Sequence, residues 1–215
     1  MEPTPAPDPE ALALAQAGPE RDRRFAEAFE RHRARLERAV AVRLAPALAA
    51  RVGASDVVAE AWAEARERLP EWVAAPRVPL FVWLRFLALQ RLRKAWRQHA
   101  TAQRRSLRRE VAGDAPADPV ASSAVLADHL AASTATPSVL VGRTETRARL
   151  RAALDAMAPG DREVLALRHF EELTNAEVAE VLGLSVEAAS KRYVRALERL
   201  GTALRGGPLD GTAAP

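Results

Sequence analysis

The chain of 215 residues contains no cysteine, which excludes a disulfide framework and any thiolate metal site. Its four histidines, His32, His99, His129 and His169, are scattered without metal-ligand spacing. No run of about 18 apolar residues occurs, and the N-terminus is proline-rich and acidic where a secretory signal would be basic and then apolar. Membrane insertion is therefore not expected, and the chain reads as cytoplasmic. A phosphate-cradling glycine loop, paired carboxylates in an apolar setting and a nucleophile with an adjacent base are all missing, which argues against an enzyme and against a cofactor. The alternation of a half-buried strand is missing too. Arginine is abundant: 30 of the 32 basic residues, against a net charge of only +4. Where the arginines fall is more informative than how many there are.

The clearest pattern is Thr174 to Arg199, which reads as a helix-turn-helix. Thr174 and Glu177 have the spacing of a capping box, and Val178, Ala179 and Leu182 give the helix that follows one apolar face. Gly183 stands where a left-handed residue ends a helix, and Ser185 can cap the next one. On that second helix, at about 100° per residue, Val186, Ala189, Tyr193, Ala196, Leu197, Leu200 and Leu204 fall on the side expected to be core. The opposite arc carries Glu187, Ala188, Lys191, Val194, Arg195, Glu198 and Arg199, with Arg192 at its edge. Such an arc suits base edges and phosphates in a major groove, although any amphipathic surface helix also has a charged face.

Residues 1–20 hold five prolines and read as a disordered tail. From about Arg21, Phe25, Phe29, Leu36, Val40 and Leu44 share one helical face, and Pro46 interrupts or ends that helix. A second helix is predicted over Asp56–Leu69, stopped by Pro70, with Val58, Trp62, Ala65 and Leu69 buried. Its other side is an acidic stripe of Asp56, Glu60, Glu64 and Glu67, either ordinary solvated surface or a docking face for a basic partner. Trp72 to Arg109 then contains ten Arg or Lys residues and no acid. Pro76 and Pro79 keep the chain from Glu71 to Leu80 out of helix, and a long helix follows from Phe81 to at least His99. Phe81, Leu84, Ala88, Leu92, Ala95 and Trp96 share its core face; Trp83, Phe86, Gln90, Arg93, Lys94 and Arg97 share the other. Rings interleaved with cations suit a single strand of nucleic acid, with bases stacking and phosphates neutralised; burial of Trp83 and Phe86 against a neighbouring helix is the alternative. Arg104, Arg105, Arg108 and Arg109 extend the basic track.

Residues 110–142 lack Lys and Arg and read as a flexible linker with at most a short helix near Val125–Ala132. The expected architecture is all-α: two small helical domains, 21–109 and 143–204, joined by that linker, the second a helix-turn-helix domain, with a Gly-rich tail at 205–215. In the second domain Leu150, Leu154 and Met157 line one helix, Pro159 and Gly160 break it, and Val164, Leu165, Leu167 and Phe170 line the next.

The combination resembles bacterial RNA polymerase sigma factors of the extracytoplasmic-function class, which keep only regions 2 and 4. DVVAEAW at Asp56–Trp62, FVWLRFLALQRL at Phe81–Leu92, and DREVLALRHFEELTNAEVAEVLGLS from Asp161 carry the resemblance. It implies a transcription initiation factor whose partners are core RNA polymerase, promoter DNA as duplex and as melted strand, and commonly an anti-sigma factor. The acidic helix would dock on polymerase, with Asp56 and Glu60 the matching residues and Glu64 and Glu67 on the same stripe. Trp72, Arg77, Trp83, Gln90, Arg93 and Lys94 match the surface that captures flipped bases of the minus-ten element, and Phe86 and Arg97 lie on the same face. In the second domain Glu187, Ala188, Lys191 and Arg195 would enter the major groove at the minus-thirty-five element, Arg192 and Arg199 would meet phosphates, and Ser185 would stand at the start of the helix. A helix-turn-helix regulator that binds palindromic operator DNA without polymerase is the rival reading.

Overall fold

The computed structural model describes residues 9–15, 18–106, 121–133 and 143–205. The chain divides into two compact units, 1–119 and 120–215. Every element described is helical, so the fold is all-α.

In the first unit, α1 (Pro9–Leu14), α2 (Pro19–Ala41), α3 (Pro46–Ala49), α4 (Ala54–Ala74) and α5 (Leu80–Ser106) follow one another, and α2, α4 and α5 pack into a bundle. Pro19 opens α2 and Glu20 and Asp22 stand in its first turn, where a fixed φ and negative charge both favour a helix start. Phe25 and Phe29 of α2 enclose Trp62 of α4 at ring distances of 5.0 and 4.7 Å. Leu36, Val58, Leu69, Phe81, Leu84 and Leu92 complete the core.

Three expectations change here. The stretch 1–20 is not tail throughout: α1 lies on α2, burying Ala11 and Leu14. The Glu10 carboxylate accepts from Arg31 at 2.9 Å and meets His32 Nε2 at 3.0 Å, while Arg24 donates to the Ala13 carbonyl at 3.1 Å. The helix over Asp56–Leu69 does not stop before Pro70. That ring sits on an exposed position, so α4 loses one hydrogen bond there yet gains a further turn that buries Trp72. Consequently Glu71–Ala74 are helical, and the loop shrinks to residues 75–79. Finally α2 ends at Ala41, before Leu44, and Pro46 starts α3.

The second unit contains α6 (Ser123–Ser133), α7 (Arg143–Ala156), α8 (Pro159–Leu165), a π-helical turn at Ala166–Phe170, α9 (Asn175–Leu182) and α10 (Val186–Arg205). Leu150, Leu154, Met157, Val164, Leu165, Leu167 and Phe170 are all buried, and α10 packs on α7, α8 and α9. The α6 helix lies within the stretch read as linker and packs on α7 and the π-helical turn, burying Leu126, Ala127 and Ala131. Arg162 donates to Ser123 Oγ at 3.0 Å and Arg147 pairs with Asp128 at 3.4 Å, which fastens α6 further. Residues 1–8, 16–17, 107–120, 134–142 and 206–215, Arg108 and Arg109 among them, lie outside the described residues. No helix among the described residues is long and apolar enough to cross a membrane.

Candidate nucleic-acid interface

The helix-turn-helix is held by local chemistry. Thr174 Oγ1 accepts from the Glu177 amide at 3.2 Å and Glu177 Oε2 accepts from the Thr174 amide at 2.8 Å, closing the capping box at the start of α9. Gly183 adopts φ 63°, ψ 38°, and the Leu184 amide reaches back to the Ala179 carbonyl at 2.9 Å, ending the helix in a left-handed turn. Ser185 Oγ then accepts from the Ala188 amide at 3.1 Å and caps α10. Asn175 Nδ2 donates to Ser190 Oγ at 2.8 Å, tying the first turn of α9 to the second helix.

On α10, Glu187, Lys191, Arg192, Arg195 and Arg199 are exposed and Ala188 is half-buried. Lys191 pairs with Glu187 one turn away at 2.6 Å. Ser190, Lys191, Val194, Arg195 and Glu198 line an open depression of about 360 Å³. Arg199 is already engaged, forming a short ion pair with the buried Asp161 of α8. Two core expectations fail: Val186 and Leu197 are 51% and 39% exposed. The buried stripe of α10 is Ala189, Ala196 and Leu200, so these two side chains flank the packing seam. Tyr193 stands between, half-buried, its hydroxyl 3.0 Å from His169 Nε2. Burial, the Arg168 guanidinium and His129 together push His169 below the usual imidazole range.

In the first unit the aromatic residues separate. Trp72 and Trp83 are 5% and 9% exposed and stack on each other at 5.5 Å with ring planes 22° apart. Phe86, by contrast, is 48% exposed. Gln90 and Arg93 are half-buried, and Arg77, Lys94 and Arg97 are exposed. Gln90, Arg91, Arg93, Lys94 and Arg97 line an open cleft of about 430 Å³ together with Glu64. Nothing in the sequence pattern had singled out Arg91.

The four acids of the predicted stripe separate as well. Asp56, Glu60 and Glu67 are exposed, and Asp56 Oδ2 accepts from the Gly53 amide at 3.0 Å, starting the helix. Glu64 instead bonds Arg91 Nε of α5 at 2.6 Å and Arg68 at 3.1 Å. Burial alone would raise its carboxyl, but the hydrogen bonds from Arg91 and Arg68 outweigh that and hold it below the usual carboxylate range.

Residues 147–200 match the family model for sigma-70, region 4. RNA polymerase sigma-E factors of Streptomyces antibioticus and Streptomyces avermitilis are each 39% identical to this chain over 67 residues, which is 31% of this chain and 37% of either relative. The matched stretch therefore spans little more than a third of the curated relatives. The structure of CnrH in complex with the cytosolic domain of CnrY shares the fold along 92% of this chain and 96% of its own, with a TM-score of 0.51 and 24% identity. The region 4 match thus lies over α7 to α10, the helix-turn-helix included, and the solved neighbour shares the all-α fold.

Proposed function

We propose that this protein directs RNA polymerase to promoters. Its second unit reads the upstream promoter element as duplex, its first unit captures the melted strand, and the exposed acids of α4 dock on core polymerase in the cytoplasm. The observation that carries the reading is the region 4 match lying over a helix-turn-helix whose second helix exposes Lys191, Arg192 and Arg195. On the first unit, the exposed Phe86 ring, Arg77 and the cationic cleft supply stacking and phosphate neutralisation. Neither surface is strong alone, because cationic contacts give salt-sensitive affinity. Polymerase fixes both on one DNA, and binding of one unit raises the effective concentration of the other. Melting then requires only that the unpaired strand be bound in preference to duplex. A second, protein partner that holds the factor inactive fits the same reading, since CnrH, which shares the fold, is bound to the cytosolic domain of CnrY.

The test is co-elution of the full chain with bacterial core RNA polymerase in size-exclusion chromatography. Wild type is expected to co-elute and the Asp56→Arg/Glu60→Arg double variant to elute separately. A wild-type chain that ignores core yet shifts duplex DNA by itself would replace this reading with the polymerase-independent regulator.

A further inference from the structure

We infer that Trp72 and Trp83 are positioning residues for the loop 75–79 and that they act on a bound strand only through Arg77, while Phe86 is the ring that meets a base. This inference rests on the reading of the first unit as a binder of unpaired DNA.

Both indoles are buried and each covers the other's face, which leaves little open π-surface for a base. Main-chain bonds of the same two residues close both ends of the loop, and the Trp72 indole spans it. The Ala75 amide donates to the Trp72 carbonyl at 3.2 Å as α4 ends. Trp72 Nε1 crosses the loop to donate to the Val78 carbonyl at 3.3 Å, and the Trp83 amide donates to the Pro79 carbonyl at 3.1 Å as α5 begins. Pro76 and Pro79 fix φ at two of the five loop positions, so little conformational freedom is left. The side chain this arrangement holds outward is Arg77. A guanidinium carried on a pre-shaped loop meets a phosphate without first paying to order the chain. Phe86, one turn along α5 from Trp83, keeps the exposed face that stacking requires.

The experiment is a double-variant cycle on the full chain. Affinity for a dye-labelled, mixed-sequence single-stranded DNA oligonucleotide is measured across a salt series, with thermal unfolding as the check on folding. Arg77→Ala is expected to flatten the log-log salt slope by about 0.7, the loss of one phosphate on a single strand. Trp72→Phe keeps a stacked ring but loses the indole N–H, and is expected to flatten the slope in the same way. Adding it to Arg77→Ala should do nothing more. Trp83→Phe, which leaves the Trp72 donor in place, should bind nearly as wild type, whereas Phe86→Ala should weaken binding roughly tenfold, the loss of one stacked base. If the Trp72→Phe and Arg77→Ala losses multiply, or Trp72→Phe is silent, or Trp83→Phe binds as poorly as Phe86→Ala, the inference is overturned. A wild-type chain that fails to bind the oligonucleotide even at the lowest salt, where cationic contacts are strongest, sinks the underlying reading instead, which the wild-type arm reports by itself.

Discussion

The Tyr193 hydroxyl and His169 Nε2 share a hydrogen bond of 3.0 Å, fastening the middle of α10 to the π-helical turn. Burial, Arg168 and His129 all favour the neutral imidazole. Free histidine titrates near about 6.5. With the folded value lower, the unfolded chain takes up the proton first, so stability is full above that pH and falls as pH drops toward the folded value. The thermal midpoint of the second unit is expected to decline between neutral and mildly acid pH, and His169→Gln should flatten that decline. An equal decline in the variant would show that another group is responsible.

Gly183 has φ 63° and open space around the position of a Cβ. A side chain there meets no neighbour and is opposed by the backbone alone, by roughly 1 kcal/mol. Gly183→Ala should lower denaturant stability by that amount, and Gly183→Asn by less, because Asn tolerates the left-handed region. Equal losses would mean the turn is not the source of the effect.

The cations of α10 should separate into two classes. Arg192→Ala, at an exposed position read as a phosphate contact, is expected to reduce the salt slope of duplex binding by about 0.9, the effect of one phosphate, with little change in stability. Arg199→Ala leaves the buried Asp161 carboxylate unpaired, so its main effect should be a stability loss of about 1 to 3 kcal/mol. Urea unfolding beside the salt series distinguishes the two. An Arg199→Ala protein of wild-type stability with a reduced slope would return Arg199 to the phosphate contacts.

Glu64 should behave as a tie between α4 and α5. Glu64→Gln is expected to leave polymerase co-elution intact while lowering the stability of the first unit. Because its folded pKa is depressed, that stabilisation is present above the unfolded carboxylate value of about 4.5 and disappears as pH falls below it. Loss of co-elution in a folded Glu64→Gln protein would put the residue back on the docking face.

The parts of the site legible in the sequence are those made by neighbours along the chain. Thr174 and Glu177, Gly183, and Ser185 with Ala188 each form contacts within three to five residues, and the spacing itself specifies them. Trp83 was left open between stacking and burial for a different reason. A helical wheel sorts residues into sides but does not say how many sides are covered, and from Leu80 to Leu89 of α5 only Phe86 remains exposed. Glu64 shares a stripe with Glu60 and Glu67, yet it faces Arg91, 27 residues away, which no local pattern announces. The Tyr193 and His169 bond was hidden in the same way, and α1 was obscured by the prolines around the short run that buries Ala11 and Leu14.

All four tryptophans, Trp62, Trp72, Trp83 and Trp96, lie in the first unit, and the single tyrosine, Tyr193, lies in the second. Emission excited at the red edge, where tyrosine does not absorb, therefore arises from the first unit alone. Because Trp72 and Trp83 stack, their coupled transitions should also give that unit a near-ultraviolet dichroism band that vanishes when its helices part. The unlabelled protein thus carries a separate optical channel for its first unit, and melting of the two units can be told apart without a probe.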